Sequence, residues 1–134
     1  NAFGEELVIE NAETAISIAC REMDAIVTDY TAAPIYLDQS DEAGHEWLIE
    51  FSKAPENLDA FVSLLDKELQ NTNDDYKSKR KGDMLMKMPK VTAVPALTFH
   101  EWLKSKGKLG GQNKVPRLSN DRKIIEEIKS MMGL

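Results

Sequence analysis

The chain has 134 residues, 42% of them hydrophobic and 30% charged, and carries a formal net charge of −6. That length predicts a single domain, residues 1–134, with a core of its own, and the composition is that of an ordinary globular protein. No apolar run approaches the ~18 residues of a membrane span, and no signal-peptide pattern stands at the start. Cys20 is the one cysteine, so no internal disulfide can form, which points to a reducing compartment, the cytoplasm.

The first helix is expected over about 11–25, after a short strand in "EELVI" (5–9). Asn11 is its candidate N-cap, and Ala12, Ala15, Ile16, Ala19, Cys20 and Met23 recur at helical spacing. "DYTAAPIYLD" (29–38) reads as a strand that Pro34 confines to an edge or an irregular position. After a turn over 39–44, "HEWLIEF" (45–51) alternates, with Trp47, Ile49 and Phe51 on one face and Glu46, Leu48 and Glu50 on the other. The two strands are expected to pair as an antiparallel hairpin.

Pro55 and Glu56 open a second helix whose apolar stripe is Leu58, Phe61, Val62, Leu65 and Leu69. "NTNDD" (71–75) interrupts it, and "DYKSKRKG" (75–82) reads as a short basic helix ended by Gly82. "KVTAV" (90–94), between Pro89 and Pro95, is a third strand, and Thr98 is the candidate cap of a short helix in "FHEWLKSK". Ser119 or Asn120 would cap a last helix facing the core with Ile124, Ile125, Ile128 and Met132. The expected fold class is α+β, a small mixed β-sheet covered by helices.

The charge is uneven. Residues 1–60 carry 14 acids and 2 bases, a net −12, whereas residues 61–134 carry 9 acids and 15 bases, a net +6. Such polarity suits a face that meets an anion or an acidic partner. His45, His100 and Cys20 are not at metal-ligand spacing, so structural or surface roles are expected and no metal site. Lys77, Lys79, Arg80 and Lys81 read as a solvated helix face. An RNA-binding module would need more aromatic residues than an acidic chain with 7% of them provides, so no nucleic-acid partner and no membrane partner are expected.

"GKLGGQNKVPRLSNDRK" (107–123) is the most informative stretch. Residues 107–118 read as a mobile, lysine-bearing loop: Gly110, Gly111 and Gln112 lead to Lys114, Pro116 stiffens the exit, and Arg117 follows three residues after the lysine. Val115 follows Lys114, so this is not a phosphate-cradling loop with its Lys-Ser/Thr ending. The pattern suits a side chain that travels to an anion held elsewhere.

"GGQNKVPR" resembles the C-terminal signature of the Gretchen Hagen, or auxin-responsive, family of acyl-acid amido synthetases, and is most similar to bacterial members. "FGEEL" resembles the segment after the family's interdomain hinge, so residues 1–10 are expected to be post-hinge. "HEWLIEF" and "LTFHEWL" resemble further family segments, and the likeness extends over essentially the whole chain. Lys114-Val115-x-Arg117 is also similar to a motif near the end of the wider adenylate-forming superfamily, with Asn113 where that motif has glycine.

The resemblance implies the C-terminal lid domain of a two-domain enzyme, and the start at Asn1, with no methionine, fits a longer chain. It implies an acid–amine ligase that forms an acyl-adenylate from a carboxylic acid and ATP, then passes the acyl group to an amine, typically an amino acid. Lys114 would be catalytic and would meet the nucleotide, with Gly110, Gly111, Gln112, Pro116 and Arg117 in support. ATP and magnesium would be bound mainly by the N-terminal adenylation domain, and the isolated lid is expected to be inactive. The competing expectation is a non-catalytic α+β interaction domain that binds an acidic partner through its basic half.

Overall fold

The computed structural model describes residues 7–36, 43–83, 85–108 and 113–134. In chain order these form α1 (Ile9–Met23), β1 (Ile26–Tyr36), β2 (Ala43–Lys53), α2 (Leu58–Thr72), α3 (Asp74–Arg80), a 3₁₀ turn at Lys81–Asp83, β3 (Lys90–Val94), α4 (Thr98–Ser105) and α5 (Lys123–Met131). The strands lie in the order β1-β2-β3. β1 and β2 pair antiparallel, as the hairpin reading expected, and β3 adds to β2 in parallel, so the sheet is mixed. The fold is α+β.

Both faces of this sheet are covered. Trp47 and Ile49 of β2 join Tyr30 and Ala32 of β1 in a first core with the apolar stripes of α1 and α2. Leu48 points the other way and joins Ala33 and Val94 in a second core with Phe99, Trp102, Ile125 and Ile128 of α4 and α5. The central strand therefore buries side chains of both parities, which is what a sheet between two helix layers requires.

The helix starts depart from expectation. α1 begins at Ile9, not Asn11, and no strand is present at Leu7 or Val8; residues 1–6 of the expected post-hinge segment lie outside the described residues. Asn11 still serves the terminus, because its Oδ1 accepts the Val8 N–H at 3.1 Å. The same side chain donates to the Thr72 carbonyl and accepts from Asn73, tying α1 to the α2–α3 junction. α4 is capped by Leu97 in the left-handed region (φ 71°), while Thr98 is its first helical residue and donates its hydroxyl to Pro95 O at 2.7 Å. α5 starts after Arg122. Its first N–H, on Lys123, is taken by Asp121 Oδ1 rather than by Ser119 or Asn120.

The basic helix α3 is a second correction. Gly82 ends it at φ 69°, as expected, but its basic residues are not all solvated. Arg80 is buried and donates to both oxygens of Asp66, with Tyr76 Oη donating to the same carboxylate at 2.6 Å. The residue types that looked like a surface cluster thus include the cation that locks α3 to α2.

On the second face, Glu46 is buried between Arg122, Lys129 and Lys90. Burial opposes its charge, yet hydrogen bonds and charge from Arg122 and Lys129 outweigh that and hold its carboxyl below the usual range. This network fastens α5 to β2 and places the chain that enters α5 along the outer edge of β1.

Candidate functional site

After α4 the chain passes residues 109–112, which lie outside the described residues together with the expected support residues Gly110, Gly111 and Gln112. From Val115 onward the chain is anchored step by step. Val115 is buried in the second core. Pro116 O accepts the Thr31 hydroxyl at 2.6 Å. Arg117 O accepts Ala32 N at 2.9 Å, and Ser119 N donates to Ala32 O at 3.0 Å, making a short parallel bridge between Leu118 and Ala32. Residues 116–119 thereby satisfy part of the outer edge of β1, where Pro34 has no N–H to offer and gives its carbonyl to Arg122.

Arg117 wraps this edge. Its Nη1 donates to the Asp29 carboxylate and to Tyr30 O at 3.3 Å, its Nε reaches Glu13 Oε1 of α1 at 3.3 Å, and its guanidinium lies 4.6 Å from the Tyr30 ring centre. Burial, with the Glu13 carboxylate second, pushes the Tyr30 phenol far above its ordinary range, so Tyr30 serves as a neutral platform. Arg117 was expected beside the lysine as a support. Its partners are on β1 and α1, and they lie 88 and 104 residues away in sequence.

Alternation along the anchored segment sets the rest. With Val115 turned inward, Lys114 points out, exposed, at the rim of a groove of about 280 Å³ whose walls include Asp29, Glu50, Phe99, His100 and Arg117. Among the described residues Lys114 makes no ion pair or hydrogen bond. The groove thus presents one uncommitted ammonium on a fixed root, next to a committed guanidinium.

The other titratable candidates lie elsewhere. His45 is buried and stacks on Tyr76 with ring centres 6.0 Å apart, and burial lowers its pKa to about 4. Cys20 is half-buried against the first core, its thiol pushed up by burial against a smaller opposing effect of a Val27 backbone hydrogen bond. His100 is exposed on α4. Among the described residues no group of three or more metal-ligating side chains forms, and no helix is long and apolar enough to cross a membrane. Asp29 and Glu50 were not singled out by sequence reasoning as site residues. The one signal was Glu50's place on the same face as Leu48, an acid at a position that proves to be buried.

These features define a class: a small α+β domain with a lysine-bearing segment stitched to the edge of a mixed sheet. Residues 10–123 match the GH3 family C-terminal domain, and the chain belongs to that family. Among solved structures it is similar to "GH3.15 acyl acid amido synthetase" (TM-score 0.69, 16% identity), covering 90% of this chain and 23% of that one. It is also similar to "AtGH3.15 acyl acid amido synthetase in complex with 2,4-DB" (TM-score 0.67, 14% identity), again with 90% and 23% coverage. At these identities the likeness shows the fold, and the chain spans about a quarter of each synthetase. No curated protein sequence matches it.

Proposed function

We propose that this chain is the closing domain of an ATP-dependent acyl-acid amido synthetase, and that Lys114 is the side chain it delivers. The observation that carries the reading is the contrast between the anchored backbone at 115–119 and the uncommitted ammonium at Lys114. The family and the fold support it: the solved relatives of like fold are acyl acid amido synthetases by name.

In the first step a carboxylate oxygen attacks the α-phosphorus of ATP, giving an acyl-adenylate and pyrophosphate. Negative charge accumulates between the two reactants, and an ammonium brought to it by domain closure stabilises the transition state by about 3 kcal/mol, or 10²–10³ in rate. Closure also excludes water from an activated acid that hydrolysis would waste. In the second step an amine, typically of an amino acid, displaces AMP after the domain has rotated. Arg117 takes no part in either chemical step on this reading, being held by Asp29 and Glu13; it fixes the root of the lysine. On this reading ATP, magnesium and the acid are held mainly by the larger N-terminal domain.

The test is acid-dependent pyrophosphate exchange by the full-length protein. Lys114→Ala should lower the exchange rate about 10²-fold with little change in ATP affinity, because the lysine arrives only on closure. Exchange at the parent rate would remove Lys114 from the chemistry.

A further inference from the structure

We propose that Glu50 is the positioning residue for Lys114, its carboxylate receiving the ammonium across the groove and aiming it before closure. The pair itself is a property of this chain; its part in catalysis rests on the closing-domain reading above.

Glu50 sits on the central strand directly opposite Asp29, so two carboxylates stand side by side on one face. Like charges in that relation repel unless each is compensated. Asp29 is held by Arg117. Glu50 is only 7% exposed, and among the described residues it takes part in no ion pair. Its carboxylate accepts one hydrogen bond there, from Phe99 N at 3.4 Å, near the start of α4. A single long N–H contact does not offset the burial of a carboxylate. The groups facing it across the groove are Asp29 from β1, His100 from α4, and Arg117 and Lys114 from the anchored segment. Arg117 is already shared between two acids and His100 is exposed. That leaves Lys114, which is itself without an ion pair and lines the same groove. Val115, next in the chain, is buried in the second core and holds the backbone beside the lysine, so on this proposal the ammonium meets Glu50 by turning its own side chain into the groove.

The alternative is that Glu50 does no more than cap α4. Trace acetylation of the 134-residue chain, read by mass spectrometry with exposed Lys104 as internal reference, separates the two. An opposite charge within a few ångströms changes the free-amine fraction by about tenfold. Lys114 should therefore react about tenfold more slowly than Lys104 in the native chain, and Glu50→Gln should restore parity. Equal reactivity in the native chain, or no change in Glu50→Gln, overturns the pair, and the native-chain arm holds even if the variant does not fold. In the full-length protein Glu50→Gln should lower the exchange kcat severalfold with the KM for ATP unchanged, and Glu50→Asp should recover part of it, whereas a lost cap alone would leave kcat intact. If Lys114 is shielded by Glu50 but Lys114→Ala leaves exchange intact, the closing-domain reading fails and the pair stands. If Lys114→Ala abolishes exchange and acetylation ignores Glu50→Gln, the pair fails and that reading stands.

Discussion

Arg117 lies 4.6 Å above the ring of Tyr30 and donates to the carbonyl of the same residue at 3.3 Å. Together with its bonds to Asp29 and Glu13, this makes Arg117 the clamp that joins the lysine-bearing segment to the sheet edge and to α1. Arg117→Ala should destabilise the chain by about 2 kcal/mol, the scale of charged hydrogen bonds plus a ring contact at a partly exposed site. Arg117→Lys should recover little, because an ammonium cannot reproduce the planar fork. Urea unfolding measures both; a lysine variant as stable as the parent would mean that charge alone is enough.

The Asp66–Arg80 pair gives a second expectation. Both side chains are at least nine-tenths buried, and Nε and Nη2 of Arg80 each donate at 2.8 Å. Asp66 also accepts from Tyr76 and Gln70, and Arg80 Nη1 donates to Met86 O. Removing one partner strands a charge in the core, so Arg80→Met or Asp66→Ala should cost about 3–5 kcal/mol. The double variant should cost less than the sum, and a thermal-melt double-mutant cycle reads the difference. Additive losses would show that the pair does not act as a unit.

These two contacts show where sequence reading stops. Apolar periodicity placed the stripe of α2, the second hairpin strand and the inward residues of α5, because each signal lies within one element, although α2 starts at Leu58 behind Asn57, whose side chain accepts from Ala60 N, and not at Pro55 and Glu56. The Glu13–Arg117 and Asp66–Arg80 contacts are set by packing between elements, and nothing local in "DYKSKRKG" distinguishes Arg80 from its solvated neighbours. The helix starts were misread for a related reason. Asn11 and Asp121 cap from inside or just before the helix, whereas Leu97, a poor cap by type, takes the left-handed conformation. Lys114, Pro116 and Arg117 could be picked out from spacing and resemblance. Asp29 and Glu50 become visible only once β1 and β2 are in register.

Stability should fall with acid in a window that His45 sets. Its pKa is lowered by burial to about 4 from an ordinary value of about 6.5. The unfolded chain therefore binds a proton that the folded chain refuses between those values. The stability that neutral burial provides is complete above pH ~6.5 and is lost as pH falls toward ~4, by up to roughly 3 kcal/mol. Glu46, depressed by Arg122 and Lys129, adds a loss in the same direction at lower pH. In His45→Gln the slope between pH ~4.5 and ~6.5 should flatten. Urea midpoints measured across that range check this, and an unchanged slope would assign the acid sensitivity to other groups.

The central claim is that Lys114 acts in one half-reaction and not the other. The direct measurement compares both in the full-length Lys114→Ala protein: acid-dependent pyrophosphate exchange for the first, and transfer from preformed acyl-adenylate to the amine for the second. The account predicts exchange slowed about 10²-fold or more, with transfer close to the parent rate because the rotated domain carries the lysine away. Equal loss of both half-reactions would contradict it and mark Lys114 as a residue of closure or folding.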